Sequence, residues 1–210
     1  MAQGLEEFLR LGGELPLSPG CDHFYFLRHG QTARNVLRIF QAMDEPLNDT
    51  GLEQARHAAE LLAGEPLRTI VCSDAQRALT TAFTVAAPHG IAPLLHEGLR
   101  ERNFGVLIGT SSAQIDWTCD PQDGESLPAF MQRKHAALCA ALAHPGPVLV
   151  VAHGGSLYAL AAMLGVPMNL GLLGNAQPLR FERGAGGAGW LVRSLLQDSQ
   201  QEVDPGAALA

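Results

Sequence analysis

Two histidines and two arginines stand just beyond stretches of the sequence that are typical of buried strands. Arg28 and His29 follow an aromatic-apolar run, His153 follows the clearest apolar run in the chain, and Arg77 lies shortly after a third. Arginine presents a planar fork to phosphate or carboxylate, and a neutral imidazole nitrogen is a competent nucleophile near pH 7. We therefore predict an anion pocket in which His29 attacks phosphorus in line. The two arginines and a protonated His153 would offset charge on the equatorial oxygens.

This displacement also needs an acid, because a leaving alkoxide must take up a proton. The irregular segment 98–125 would supply it, and Glu101 is the first candidate in that segment. Four further carboxylates are lower-ranked candidates for the acid, namely Asp116, Asp120, Asp123 and Glu125. Backbone N–H groups after His153, at a predicted helix start, would add anion-binding capacity. Each residue alone has an ordinary structural interpretation, and their joint placement at strand ends is what indicates a site.

These side chains need a scaffold that brings separate strand ends together. The hydrophobic pattern predicts strands that alternate with helices along most of the chain. The predicted strands are 24–27, 69–72, 93–96 and 147–152, followed by a hairpin of 179–182 and 190–193. The predicted helices are 49–62 capped by Asn48, one capped by Ser73 that runs to about 87, one from Ser126 to about 143, and one after His153. This order is typical of an α/β sandwich with a mostly parallel sheet, in which ligands bind at the carboxyl ends of the strands.

The composition indicates a folded domain with an acidic surface. The chain has 210 residues, of which 47% are hydrophobic and 17% charged, so wholesale disorder is excluded. We expect a loose N-terminal extension over 1–20 with at most one helical turn, a single α/β domain over 21–197 and a flexible tail over 198–210. The net charge is −7 and the basic residues are scattered, which argues against nucleic-acid binding.

The sequence predicts no membrane span, no secretory signal and no disulfide or zinc site. The uncharged stretch 154–179 is broken by Pro167, Asn169 and Asn175, so it predicts a buried helix and a loop, not a membrane span. The first residues lack the pattern of a secretory signal, and a cytoplasmic location is the default expectation. The four cysteines show no CxxC pairing, which indicates neither a zinc site nor a disulfide framework. Cys72 and Cys139 lie in apolar runs and are predicted to be buried thiols.

A series of ordered motifs covers residues 23–180. The first is LRHGQTARN at 27–35, which is similar to the pattern LRHGxTxxN. Further segments are similar to PLTxxGxxQA at 46–55, SDxxRAxxTA at 73–82, LxExxFG at 99–105, GES at 124–126, and VLVVSHGG at 148–155, with an Asn-Ala pair at 175–176. Together they resemble the histidine phosphatase superfamily, the group that includes the cofactor-dependent phosphoglycerate mutases. A single RHG triplet would be weak evidence, whereas this many motifs in order are specific.

The resemblance implies a fold, a reaction and a set of site residues. The fold would be a three-layer α/β/α sandwich with a mixed, mostly parallel sheet that contains one antiparallel strand. His29 would become phosphorylated and Glu101 would serve as proton donor, with no metal and no organic cofactor. The phosphoryl group would be bound by Arg28, Arg77 and His153, with Asn35 and Thr32 helping.

The sequence departs from the mutases after the acid. Mutases carry an Arg-Arg pair and a lysine there to hold a phosphoglycerate carboxylate, whereas 106–130 contains no lysine or arginine. Without a second cationic subsite a transferable bisphosphoglycerate would be held poorly, so water should take the phosphoryl group. A metal-independent phosphatase acting on a small phosphorylated molecule is therefore expected. The alternatives are a phosphoglycerate mutase and a non-catalytic phospho-ligand-binding module.

The variable segment 98–130 would set the substrate. Ile108 stands where many family members have a polar residue, and with Ile115 and Trp117 it predicts either an apolar wall for an organic group or simple packing of a lid. Which phosphomonoester is bound, and the oligomeric state, do not follow from the sequence.

Overall fold

A computed structural model describes residues 3–167, 170–187 and 189–196. Within them, helices and strands alternate as the hydrophobic pattern predicts. The helices are α1 (Leu5–Gly13), α2 (Ala33–Val36), α3 (Asp49–Leu62), α4 (Gln76–Ala86), α5 (Leu127–Leu142) and α6 (Gly154–Leu164). The strands are β1 (His23–Arg28), β2 (Thr69–Cys72), β3 (Leu94–Leu95), β4 (Val148–Ala152), β5 (Pro178–Arg183) and β6 (Trp190–Ser194).

The strands form one mixed sheet with the order β3-β2-β4-β1-β5-β6. β1, β2, β3 and β4 are parallel, while β5 runs antiparallel to both of its neighbours, β1 and β6. β2 and β4 are buried along their whole length, as is usual for parallel strands covered on both faces. The predicted mixed, mostly parallel sheet with one reversed strand is confirmed.

Helices cover both faces of the sheet, which gives the predicted three layers. Side chains alternate along a strand, so Phe24 and Phe26 of β1 face one core while Tyr25 and Leu27 face the other. The first core is covered by α1, α5 and α6, and the second by α3 and α4. In the part of the chain that the structure describes, no helix has the length and apolar character needed to cross a bilayer.

The N-cap predicted for α3 is confirmed, whereas the one predicted for α4 is not. α3 has the predicted bounds, and the Asn48 side chain accepts a hydrogen bond from the backbone N–H of Gly51 at 2.8 Å. The prediction that Ser73 caps the next helix is wrong, because α4 begins at Gln76 after an Ala75 N-cap without a side-chain bond. Ser73 is fully buried and its hydroxyl lies 2.9 Å from Nε2 of His153. Its place at the end of β2 makes it part of the site, not of the helix cap.

The N-terminal segment is not loose, in contrast to the expectation for 1–20. α1 buries Phe8 completely, and the ring of Phe8 lies 4.8 Å from that of Trp117. Gly12 of α1 packs so closely on α6 that an added Cβ would come within 2.3 Å of the Ala162 methyl group. The partners in these contacts are distant in the sequence, so the local hydrophobic pattern does not predict them. The predicted tail 198–210 lies outside the described residues.

The cysteine prediction holds for one of two residues. Cys72 in β2 is buried, as expected. Cys139 is exposed on α5, so the prediction that it is buried is wrong. A helix with apolar residues on most sides does not reveal from sequence which side faces solvent.

Candidate active site

The ends of β1, β2 and β4 meet at one edge of the sheet, and a cavity of about 380 Å³ lies there. Predicted residues from four separate parts of the sequence line it: Arg28, His29, Asn35, Arg77, Glu101 and His153. Thr32 is the only predicted site residue that does not line this cavity. The rule that parallel strands direct their carboxyl ends to one edge therefore accounts for most of the assembly.

The hydrogen bonds of His29 fix which of its ring nitrogens carries the lone pair. Its backbone N–H donates to the carbonyl of Ala152 at 3.0 Å, and its Nδ1 lies 2.7 Å from the carbonyl oxygen of Gly30. Because a carbonyl only accepts, Nδ1 carries the proton and Nε2 carries the lone pair. Burial, and then the guanidinium groups of Arg77 and Arg28, hold the pKa of His29 well below its ordinary value. The ring is therefore neutral at pH 7, which a nitrogen nucleophile requires.

The loop that carries His29 is fixed by a close backbone approach. A Cβ added to Gly51 would lie 2.0 Å from the carbonyl oxygen of Gln31, and one added to Gly30 would lie 2.4 Å from that of Gly51. The N–H of Gly30 also donates to the hydroxyl of Thr81 at 3.0 Å. Gly51 therefore allows the start of α3 to pack directly against the loop that carries His29.

The two predicted arginines are anchored by carbonyl groups and retain donors for a ligand. Nη1 of Arg28 donates to Leu173 O at 2.6 Å, while its Nε is buried without a partner in the described structure. Nη1 of Arg77 donates to Ala42 O at 2.7 Å, and its Nε donates to the Nε2 lone pair of His29 at 3.3 Å. Burial lowers the pKa of Arg77 to about 10, so the group stays charged at pH 7. An anion entering beside His29 would meet two fixed positive charges.

His153 lies beside His29, with 5.2 Å between the ring centroids. Its Nε2 bonds to the Ser73 hydroxyl, and its Nδ1 is buried without a partner among the described residues. Burial, and then the charge of Arg77, lower the pKa of His153 well below its ordinary value. These surroundings favour the neutral ring of His153, in contrast to the protonated form expected from the sequence. A neutral ring can still donate from Nδ1 when Nε2 accepts from Ser73.

Glu101 is fixed by two backbone N–H groups on the cavity wall. Its Oε2 accepts from Gly155 at the start of α6 at 2.8 Å, and its Oε1 accepts from Arg102 at 2.9 Å. A Cβ at Gly155 would lie 2.4 Å from Glu101 Oε1, so the carboxylate occupies the space that a side chain would need. The other carboxylates considered as acids, Asp116, Asp120, Asp123 and Glu125, do not line this cavity. Among the carboxylates that the sequence offered, Glu101 is the one that lines the cavity.

Two buried cations, Lys134 and Arg102, and the half-buried Arg133 hold the chain on both sides of Glu101. Nζ of Lys134 donates to the carbonyl of Gly98 at 3.1 Å, and Arg133 donates to the same carbonyl at 2.8 Å. Arg102 donates through all three guanidinium nitrogens to backbone carbonyls of 117, 119 and 125. Sequence reasoning missed this function, because the acceptors are backbone atoms and leave no pattern in the residue types.

Thr32 and Asn35 form a capping pair beneath the cavity. The Thr32 hydroxyl accepts from Asn35 N at 3.0 Å and donates to Gln41 Oε1 at 3.0 Å, and Thr32 is fully buried. Asn175 donates to Asn35 Oδ1 at 3.3 Å and to the carbonyl of His29 at 3.0 Å. Asn35 is thus in position to touch a ligand, while Thr32 holds the loop that presents it. The predicted binding role of Thr32 is not supported by its placement.

The cavity contains cations that the sequence analysis did not anticipate. Arg34, Arg38 and Arg102 line it in addition to the two predicted arginines. No cation of the cavity comes from 106–130, in line with the sequence, but these three arginines from outside that segment were not considered there. A spacing of four residues between Arg34 and Arg38, just after the RHG motif, was the available signal.

The predicted apolar wall is present in part. Ile115 and Trp117 line the cavity together with Phe40 and Tyr158. Ile108 lines a neighbouring cavity instead. The wall therefore provides contact for an organic group next to the polar floor.

The fold and this site define an α/β enzyme of phosphoryl transfer, in which a neutral histidine and fixed arginines face one cavity. Residues 24–177 match the family model of the histidine phosphatase superfamily (branch 1). The chain belongs to this superfamily. The resemblance seen in the motifs is thereby confirmed.

Similar proteins include phosphatases and a mutase. A glucosyl-3-phosphoglycerate phosphatase of Mycolicibacterium vanbaalenii is 34% identical over 206 residues, covering 86% of this chain and 87% of its own length. A probable phosphoglycerate mutase of Yersinia pestis is 32% identical over 167 residues, covering 68% of this chain and 75% of its own. The solved structure of a mycobacterial glucosyl-3-phosphoglycerate phosphatase with VO3 has a TM-score of 0.67 and 29% identity, covering 83% of this chain and 97% of that one.

Proposed function

We propose that this protein is a phosphatase that hydrolyses a small-molecule phosphomonoester through a phosphohistidine on His29, without a metal ion. The observation that carries the proposal is a neutral, buried His29 whose own Nε2 lone pair faces Arg77. Glu101 lines the same cavity. Arginine donors supply the positive charge that a metal supplies in other phosphatases. The phosphatases among the similar proteins support the same reaction class.

The reaction has two displacements that conserve atoms and charge. Nε2 of His29 forms the N–P bond as the ester P–O bond breaks, and Glu101 in its protonated form gives its proton to the leaving oxygen. The Glu101 carboxylate then takes a proton from water as the water oxygen attacks phosphorus and the N–P bond breaks. Arg28, Arg77 and His153 donate hydrogen bonds to the phosphoryl oxygens in both steps.

The test is phosphate release from a panel of phosphomonoesters, with and without EDTA, by the wild type and the His29→Ala variant. Loss of the covalent route should lower turnover by about three orders of magnitude or more. His57→Ala, at an exposed histidine on α3, is the matched control and should keep wild-type turnover. Acid-labile phosphate bound to the wild type after a rapid quench, and absent from His29→Ala, would identify the intermediate. Near-normal turnover by folded His29→Ala, or loss of turnover in EDTA, would contradict the proposal.

A mutase is the second candidate, and the arginines at 34 and 38 are the observation that favours it. They provide positive charge of the type that a bisphosphorylated intermediate needs. Product analysis with phosphoglycerates separates the two: interconversion faster than phosphate release would establish a mutase. Tight phosphate binding with no turnover of any ester would instead indicate a binding module. A cytoplasmic location and a single domain over 21–197 stay predictions.

A further inference from the structure

The cavity has more positive charge than one phosphoryl group requires. Among the residues that the structure describes, five arginines and a single carboxylate, that of Glu101, line it, although the whole chain has a net charge of −7. Arg28 and Arg77 belong to the phosphoryl site, and Arg102 uses its three guanidinium nitrogens on backbone carbonyls. Two cations, Arg34 and Arg38, are left without a role in the proposed reaction.

Arg38 is the freer of the two. Its Nη2 donates to the carbonyl of Ala113 at 3.2 Å, and within residues 3–167, 170–187 and 189–196 it has no carboxylate partner. Arg34 is paired through Nε with Glu45 at 2.9 Å, which offsets part of its charge. Arg38 is exposed at the rim, whereas Arg77 is 97% buried on the cavity floor. The two charges therefore lie at opposite depths of one cavity.

The backbone holds Arg38 in an unusual conformation. Its φ is 53°, in the left-handed region that residues other than glycine rarely adopt. Hydrogen bonds fix it on both sides, because its N–H donates to Asn35 O at 3.2 Å and its carbonyl accepts from Ser112 N at 2.6 Å. Ile39 also pairs with Ser111 in an antiparallel bridge. A strained residue that its neighbours hold in place is a feature of ligand-binding positions.

Apolar and aromatic side chains complete the cavity between these charges. Phe40, Ile115, Trp117 and Tyr158 line it without contributing charge at pH 7. A ligand that fits the cavity would place a phosphoryl group on the floor, an organic body against this wall and an anion at the rim. Shape and charge thus favour the same kind of ligand.

We propose that Arg38, assisted by Arg34, forms a second anion subsite, and that the substrate is a phosphomonoester whose organic part carries a second anionic group. This rests on the proposed phosphatase function and adds the substrate class to it. The second anion can be a carboxylate or another phosphate, since an arginine fork binds both. Arg38 acts on binding and takes no part in the chemical step.

The test compares aryl phosphates that differ only at the para position: carboxylate, carbamoyl and phosphate. Carbamoyl has the shape of carboxylate without its charge, and the phosphate member separates the two anion classes. We would measure kcat and KM on the full chain for the wild type and for Arg38→Gln, Arg38→Asn and Arg38→Lys. Asn is included because it tolerates a positive φ, so the subsite is tested even if Gln disturbs the loop. Arg56→Gln makes the same change in net charge at an exposed site on α3.

Removing Arg38 should lower kcat/KM for one or both anionic esters by about 10- to 100-fold, as expected for the loss of a charge-assisted hydrogen bond. The carbamoyl ester should change by less than about threefold, the effect should lie in KM, and Arg38→Lys should recover part of the loss. Arg56→Gln should change nothing. The anionic ester that loses more identifies the class of second anion.

Equal changes for charged and uncharged esters in both Arg38→Gln and Arg38→Asn would overturn the subsite while leaving the phosphatase proposal intact. A loss confined to kcat would overturn it as well, because a binding subsite acts on KM. Absence of turnover of every ester by the wild type would instead refute the phosphatase function on which the subsite rests.

Discussion

Replacing Gly155 by alanine should displace the proton donor without changing any charged group. Gly155 is buried near the start of α6 and its N–H holds Oε2 of Glu101 at 2.8 Å. A methyl group there would lie 2.4 Å from Glu101 Oε1 and 3.1 Å from the ring of Trp117. The residue has ordinary helical geometry and alanine is the better helix former, so the backbone can accept it. The strain therefore falls on the side chain of Glu101.

The size of the effect follows from the overlap. A carbon and an oxygen approach to about 3.4 Å in ordinary contact, so the carboxylate must move by about 1 Å. A displacement of that size at a reacting group can cost about 10²-fold in rate, and general acid catalysis as a whole contributes about 10²–10⁴-fold. We expect kcat/KM to fall by about 10²-fold for esters whose leaving group needs a proton.

The assay uses two leaving groups of different basicity. An alkyl ester such as glycerol phosphate releases a basic alkoxide, whereas para-nitrophenyl phosphate releases a stable phenolate that needs no acid. The large loss should appear for the alkyl ester alone, and kcat/KM is the right quantity because it reports the first displacement. Gly64→Ala is the control, since a Cβ at Gly64 meets open space. Glu101→Gln should show the same dependence on leaving group, and the double variant should be no worse than either single one.

Two results would refute this reasoning. Equal losses for alkyl and aryl esters would mean that the methyl group distorts the whole cavity and not the donor. Full activity of Gly155→Ala on the alkyl ester would mean that the position of Glu101 at this wall is not needed, and the acid would have to be sought elsewhere.

Two further predictions concern stability. His153 has a lowered pKa in the folded chain, so the unfolded chain binds more protons below about pH 6.5 and the free energy of unfolding should fall there as pH decreases. Denaturation at a series of pH values should show a weaker fall in His153→Asn than in the wild type or in His57→Asn, and identical profiles would contradict the assignment. Arg102→Met should lower the free energy of unfolding by about 2–4 kcal/mol, because three backbone carbonyls lose a charged donor. Urea denaturation beside the exposed Arg56→Met control checks this, and equal stability of the two variants would show that water replaces the lost bonds.

Much of the fold could be predicted because its signals are local. The Asn48 cap and the apolar residues that follow it at helical spacing predicted the bounds of α3. Continuous apolar runs predicted β1, β2 and β4. α1 could not be found in this way, since its stability comes from Phe8 packing on Trp117 more than a hundred positions away. Local periodicity contains no information about such a partner.

The same distinction applies to the site. Arg28, His29 and His153 could be predicted because each lies at the end of a strand or directly after it, and parallel strand ends meet. Gly155 could not be assigned its function without knowing that Glu101 packs against it. Arg38 was missed because the search for a second cation considered the segment after the acid, while the cavity takes that cation from the loop after α2.

Whether the phosphoryl group passes to water or to a second substrate does not follow from the number of cations in the cavity. Return of the group requires that the alcohol product stays bound, in line with the phosphohistidine, for longer than water needs to attack. After the first step the product has lost its phosphate, so any charge contact it retains with the protein is at the rim with Arg38. Even a contact that contributes 10- to 100-fold to binding is then the one remaining charge contact, and salt screens it at the rim. Such a product leaves readily and admits water, and the position of the second cation therefore favours hydrolysis even though its presence first points to a mutase.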